Sequence, residues 1–204
     1  MPTILNTAYN VQTDILESES NISVENGTLH VYNDKLKVHL QNTIKEIVTS
    51  DSSTSIAKNG SFLDLTTQTV TSGAIAAVKL GTTIFSNGVS ISNNSRINVD
   101  YAGIYNLQFS MQLRRTTGGG TKQASIWIRV NGVDVPNSAT HVTFQSSSDY
   151  LVPAWNFFID MTAGQYVELM WTQNDSIVLT YEAADTIVPH PAVPSVILTM
   201  NKIN

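Results

Sequence analysis

The chain has 204 residues, with 11 Lys+Arg against 16 Asp+Glu, a formal net charge of -5, 13% charged residues and no cysteine. That length suits one core domain of roughly 100 to 200 residues plus an extension. The acidic balance supplies no basic field to gather nucleic acid or an anionic membrane, and the missing thiols exclude a disulfide framework and a thiolate metal cage.

At the amino terminus, Met1-Pro2-Thr3-Ile4-Leu5-Asn6-Thr7 lacks a basic region followed by an apolar core, and no later run approaches the ~18 apolar residues of a membrane span. A soluble chain without a secretion signal is expected, with no membrane and no nucleic acid among its partners. Residues 1–55 hold seven acidic residues against three lysines and read as a separate attachment arm. Turn pairs at Asn26-Gly27 and Asn33-Asp34 divide short β-prone runs, which predicts two small hairpins whose apolar positions are Ile22, Val24, Leu29, Val31, Leu36 and Val38. Isolated hairpins are marginal in water, so the arm should be ordered by another subunit or another protein.

The Ser/Thr/Gly stretch around Ser50–Ser61 has almost nothing to bury, and residues 56–61 are assigned as linker. From residue 62 to 204 short apolar runs recur between turn signals such as Asn87-Gly88, Ala102-Gly103, Asn131-Gly132 and Ala163-Gly164. Strands are expected over 62–70, 74–80, 89–91, 97–99, 104–113, 124–130, 141–144, 155–161, 166–171, 177–181 and 196–203. The run 74–80 also suits a short helix but is flanked by Thr and Val. The clearest strand is Ile104 to Leu113: Tyr105, Leu107, Phe109, Met111 and Leu113 recur at every second position and share one face. The rhythm is all-β and suggests an antiparallel sandwich or jelly roll, preceded by a small β-hairpin arm.

Little in the chain suggests catalysis, and no enzyme activity or cofactor is expected. His30, His39, His141 and His190 are scattered without ligand spacing, and Gly118-Gly119-Gly120 reads as a flexible hairpin tip rather than a phosphate loop. The carboxylates Asp134, Asp149, Asp160, Glu168, Asp175, Glu182 and Asp185 are those any acidic β-protein carries, and Asn174-Asp175 reads as a solvated turn rather than a calcium loop. Trp171 continues the alternation Val167-Leu169-Trp171 and is expected in the core. Trp127 is out of parity with Ile126 and Ile128, as Phe158, Tyr166 and Met170 are with their neighbours, so these four are expected at a contact between subunits.

Ala102-Gly103-Ile104-Tyr105-Asn106-Leu107-Gln108-Phe109, the run Ile126 to Gly132, Ala163-Gly164-Gln165-Tyr166-Val167-Glu168-Leu169 and the closing run Val193 to Met200 resemble the globular jelly roll of the tumour necrosis factor and complement globular-head superfamily. In that family a strand opens Ala-Gly-x-Tyr-x-Phe and a late strand follows Gly-Asp; here Phe109 comes two residues late and Gln165 replaces the Asp. Asn131 to Ser138 and Leu151 to Phe157 are more similar to the version of this domain in tailed-bacteriophage virion proteins. The resemblance implies a homotrimer located in a virion and assembled in the host cytoplasm. The expected function is capsid decoration or cement, with the arm attached to the major capsid protein or another virion protein. The alternative is a tail fibre or baseplate component that binds a host-surface glycan through an aromatic such as Trp127, Tyr150, Trp155 or Tyr181. A secreted ligand of the necrosis-factor type is disfavoured by the absence of a signal or anchor segment.

Overall fold

The computed structural model describes residues 29–32, 35–40, 43–46 and 57–203. The chain divides into two units, Met1–Ile56 and Ala57–Asn204. In the first, β1 (Leu29–Tyr32), β2 (Lys35–Leu40) and β3 (Thr43–Glu46) form an antiparallel meander. The pairing Tyr32↔Lys35 leaves Asn33-Asp34 between β1 and β2, where a turn is expected. A second pairing, Leu40↔Thr43, leaves Gln41-Asn42 between β2 and β3, a connection without a strong turn signature. The register sets Leu29 opposite Val38 and Val31 opposite Leu36, four of the six proposed attachment positions. Ile22, Val24 and the Asn26-Gly27 turn lie outside the described residues.

The second unit comprises β4 (Asn59–Asp64), β5 (Ile75–Ala77), β6 (Thr82–Asn87), β7 (Val89–Ser92), β8 (Arg96–Val99), β9 (Gly103–Met111), β10 (Leu113–Arg115), β11 (Lys122–Val130) and β12 (Val133–Asp134). It continues with β13 (Thr140–Phe144), β14 (Tyr150–Leu151), β15 (Ala154–Met161), β16 (Tyr166–Gln173), β17 (Ile177–Leu179) and β18 (Val196–Lys202). One large sheet has the order β15-β9-β18-β4-β6. The other follows β12-β11-β16-β8-β7, with β13 added to β11 and β5 added to β16, and a small sheet β14-β10-β17 stands beside them. Among the described residues every strand pair of this unit is antiparallel.

The chain passes back and forth between the two large sheets: β4, β6, β9, β15 and β18 belong to one, and β5, β7, β8, β11 and β16 to the other. This alternation makes the unit a jelly-roll sandwich. The segment 74–80, where a helix competed, contributes β5. β9 behaves as its alternation dictates: Tyr105, Leu107, Phe109 and Met111, followed by Leu113 of β10, are each no more than 4% exposed. They meet Ala124, Ile126 and Ile128 of β11 and Val167, Leu169 and Trp171 of β16 in one core. Tyr105 fits there because its hydroxyl donates to the Tyr101 carbonyl at 2.8 Å. Burial, together with the charge of Asp100, pushes its phenol above the usual range.

Several segments differ from expectation: Thr82–Asn87 forms β6 where no strand was expected, and residues 65–70, expected in a strand, lie beyond the end of β4. β4 begins at Asn59, so Asn59, Gly60 and Ser61 belong to the sheet and not to a linker. Gly60 is buried there, and a Cβ at this position would meet the Phe62 ring at 2.5 Å. The polar look of the stretch hid the packing of the Phe62 ring against the Gly60 backbone, where any side chain would force that ring to shift. The Gly118-Gly119-Gly120 loop is not a free tip. The fully buried Arg115 donates to the carbonyls of Thr117 at 3.2 Å, Gly119 at 2.9 Å and Gly120 at 2.7 Å. A buried guanidinium needs its donors satisfied, and the glycine loop folds over it to do so.

Candidate functional site

The two large sheets present very different outer faces. On the seven-stranded sheet, cross-strand neighbours form a ladder of charge: Asp134 stands opposite Arg129, and Arg129 opposite Glu168. Arg129 Nε donates to Asp134 Oδ1 at 2.8 Å, and the Trp127 indole N–H donates to the same oxygen at 2.7 Å. Those two donors hold the Asp134 carboxyl below the usual carboxylate range, the guanidinium bond being the larger cause. The Arg129 guanidinium is shifted up in return. Glu168 accepts from the Ser95 hydroxyl at 2.8 Å and lies 3.7 Å from Arg96, whose guanidinium sits 4.4 Å from the Tyr166 ring centroid.

This face covers itself. Trp127 is 8% exposed and Met170 3%, and they stand opposite each other in the β11–β16 register. Tyr166 is half-buried under Arg96. Three of the four residues expected at a subunit contact thus have little free surface within a single chain. At Trp127 the cause is the β11–β12 hairpin, whose turn residues Asn131 and Gly132 have φ of 47° and 83°. Both lie in the left-handed region that this tight turn requires, and the turn returns Asp134 to the indole.

The five-stranded sheet is the opposite case. Three rows of its outward positions run across all five strands. Ala154, Ser110, Ile197, Leu63 and Thr82 form the first, and Asn156, Gln108, Thr199, Ser61 and Phe85 the second. Phe158, Asn106, Asn201, Asn59 and Asn87 form the third. No Lys, Arg, Asp or Glu occurs in these three rows; beyond them the exposed Asp160 of β15 stands opposite Ile104. Phe158 is 65% exposed, Phe85 50% and Ile197 42%. Asn156 donates to the Asn106 side-chain carbonyl at 3.1 Å, so the amides already pair across strands. Phe158 is the one expected contact residue that lies on this face.

The glycan-contact residues are dispersed, with no ring contact joining them among the described residues. Trp155 is half-buried, edge-on to Phe109 at 4.7 Å between ring centroids and 6.3 Å from Phe157. It therefore packs on the core and is no open platform. Tyr181 is half-buried, its amide bound to Thr67 Oγ1 at 3.1 Å. Tyr150 alone is open, 48% exposed, with the Arg114 guanidinium 5.0 Å from its ring centroid.

The carboxylates considered for chemistry mostly serve local structure. Asp149 accepts from the amides of Gln145 and Ser146 at 2.8 and 2.7 Å, and Asp185 from the Ile187 amide at 2.7 Å. Asp175 pairs with Lys122 at 2.8 Å, which lowers its pKa, while the Asn174 side chain accepts from the Gln123 amide. His141 Nδ1 lies 2.9 Å from the Ser125 hydroxyl on an exposed face. Among the described residues no group of three or more His, Asp or Glu is placed to hold a metal ion.

No protein-family model matches the chain, and no curated protein matches it. Among solved structures, the globular domain of zebrafish complement 1qA protein is similar over 72% of this chain and 98% of its own, at 11% identity and a TM-score of 0.46. Murine APRIL at pH 5.0 is similar over 72% of this chain and 99% of its own, at 13% identity and a TM-score of 0.47. The architecture itself rests on the sheet order and registers described above: an antiparallel jelly-roll sandwich with one charge-laddered face and one face crossed by three uncharged rows.

Proposed function

We propose that this protein is a non-enzymatic structural module that assembles as a homotrimer through the three uncharged rows on the outer face of its five-stranded sheet. The carrying observation is the composition of that face: three cross-strand rows of amides, hydroxyls and apolar side chains without one charged residue. Water-facing strands ordinarily carry charge, whereas the centres of protein interfaces are depleted in Lys, Glu and Asp and enriched in aromatics. In a ring of three copies each contact joins two different surfaces. Phe158 on edge strand β15 is then the knob of one copy, and the sheet around Ile197, Leu63 and Phe85 is the surface of the next.

The address of the trimer is proposed to be the virion of a tailed bacteriophage, where it serves as a capsid decoration or cement protein attached through residues 1–55. This rests on the likeness of Asn131 to Ser138 and Leu151 to Phe157 to phage virion jelly rolls, and on an arm set off as its own unit. A chain beginning at Ala57 keeps all of β4. Sedimentation should return the mass of three chains for it and for the full chain, while particle binding should be lost on truncation. Undiminished particle binding by the shortened chain contradicts attachment through the arm.

A further inference from the structure

We propose that Arg114 and Tyr150 form the anchor of a binding site for an acidic saccharide, a uronate-bearing chain. The site is independent of the face assigned to self-assembly. β10 places Arg114 opposite Tyr150 on one side and opposite Val178 on the other. Its neighbours Leu113 and Arg115 are fully buried, so alternation turns Arg114 outward.

The other arginines of the sandwich are committed. Arg96 pairs with Glu168, Arg129 with Asp134, and Arg115 with the glycine-loop carbonyls. Arg114 makes its contact with the Tyr150 ring at 5.0 Å, and among the described residues no carboxylate lies within ion-pair distance of it. The adjacent anion, Asp149, is already bound to the amides of Gln145 and Ser146. Stacking on tyrosine restricts the side chain while leaving its planar fork of donors unspent. That fork matches a carboxylate bidentately.

The surroundings suit a sugar. The Arg115 amide bonds to the Asp149 carbonyl at 3.1 Å and the Thr116 amide to the Ser176 carbonyl at 2.9 Å, which gathers the loops 145–149 and 174–176 at this strand end. The first of these loops presents Ser146, Ser147 and Ser148, all exposed. Hydroxyls beside an aromatic ring and a free guanidinium match the ring hydroxyls, apolar face and carboxylate of a uronic acid. With a net charge of -5 the chain has no general attraction for polyanions, so such binding depends on this one built contact.

The test is calorimetric titration of the full-length protein with trigalacturonate, with cellotriose as the neutral control and inorganic phosphate as competitor. Saturable binding of trigalacturonate alone is expected. Arg114→Gln should weaken it roughly tenfold or more. Arg114→Lys should fall in between, because an ammonium lacks the bidentate fork. Tyr150→Leu should also weaken binding, and Lys79→Gln, at an exposed lysine elsewhere, should leave it unchanged. Circular dichroism of each variant checks the fold. The absence of saturable binding, indifference to Arg114→Gln, equal binding of cellotriose, or displacement by phosphate at equal concentration would each overturn the assignment.

Discussion

The two faces of the sandwich solve the same problem in opposite ways. The seven-stranded sheet covers its out-of-parity aromatic with its own chain: the β12 return brings Asp134 to the Trp127 indole, and Arg129, Glu168 and Arg96 complete a ladder of opposite charges that water tolerates. The five-stranded sheet has no such ladder. It leaves Phe158, Phe85 and Ile197 open among asparagines, glutamine, serines and threonines. In the proposed assembly the contact surface is marked by the charges its rows lack as well as by the apolar groups they show. The out-of-parity aromatic that is easiest to see in a strand can already be spoken for.

The comparison breaks most sharply at Trp127. Trp127→Ala should cost about 3 kcal/mol of stability, since it empties a nearly closed site. Urea unfolding measures that loss, while sedimentation should still return the mass of three chains. A fall in mass without a loss of stability would put Trp127 in the contact between copies after all.

A smaller effect is expected in the core that both sheets share. Tyr105→Phe removes the donor to the Tyr101 carbonyl and should cost about 1 kcal/mol, visible in the same unfolding experiment and without effect on assembly.

The smallest effect concerns the ladder itself. The Asp134 carboxyl titrates below its ordinary value when folded, so the stability it contributes is present above the unfolded pKa, near 3.9 for an ordinary aspartate, and is lost as pH falls through the lower folded value. Asp134→Asn should therefore lower the Tm slightly at neutral pH, and the gap from wild type should close below about pH 4. A gap that persists in acid would mean that Asp134 acts through packing and not through its charge.

Much of the sandwich was legible in the sequence because alternation reports burial directly: Tyr105 to Leu113 and Val167 to Trp171 fall on the core side as their spacing requires. The outer faces were harder to read. Parity tells which side of a strand a residue occupies but not whether a distant segment covers that side: Trp127 and Met170 are nearly covered and Tyr166 is half-buried, whereas Phe158 is open. The covering of Trp127 did leave a trace, an Asn131-Gly132 turn that sets Asp134 opposite Arg129. The other face left one as well: Asn106, Gln108 and Ser110, Asn156 and Phe158, Thr199 and Asn201 alternate outward without a charge. Each strand alone reads as ordinary polar surface, and only the registers assemble them into one patch. The closed loop over Arg115 and the early start of β4 at Asn59 had no such trace, because they depend on contacts made across the fold.

The most direct test compares one charge placed on each face of the full-length protein. Phe158→Asp puts a carboxylate in the uncharged patch, and Thr143→Asp puts one on the exposed outer side of the seven-stranded sheet. By sedimentation equilibrium, Phe158→Asp should fall from the mass of three chains to that of one with its circular dichroism unchanged, while Thr143→Asp should remain trimeric. A trimeric Phe158→Asp protein, or a Thr143→Asp protein that dissociates, would contradict the assignment of the five-stranded sheet as the surface of self-assembly.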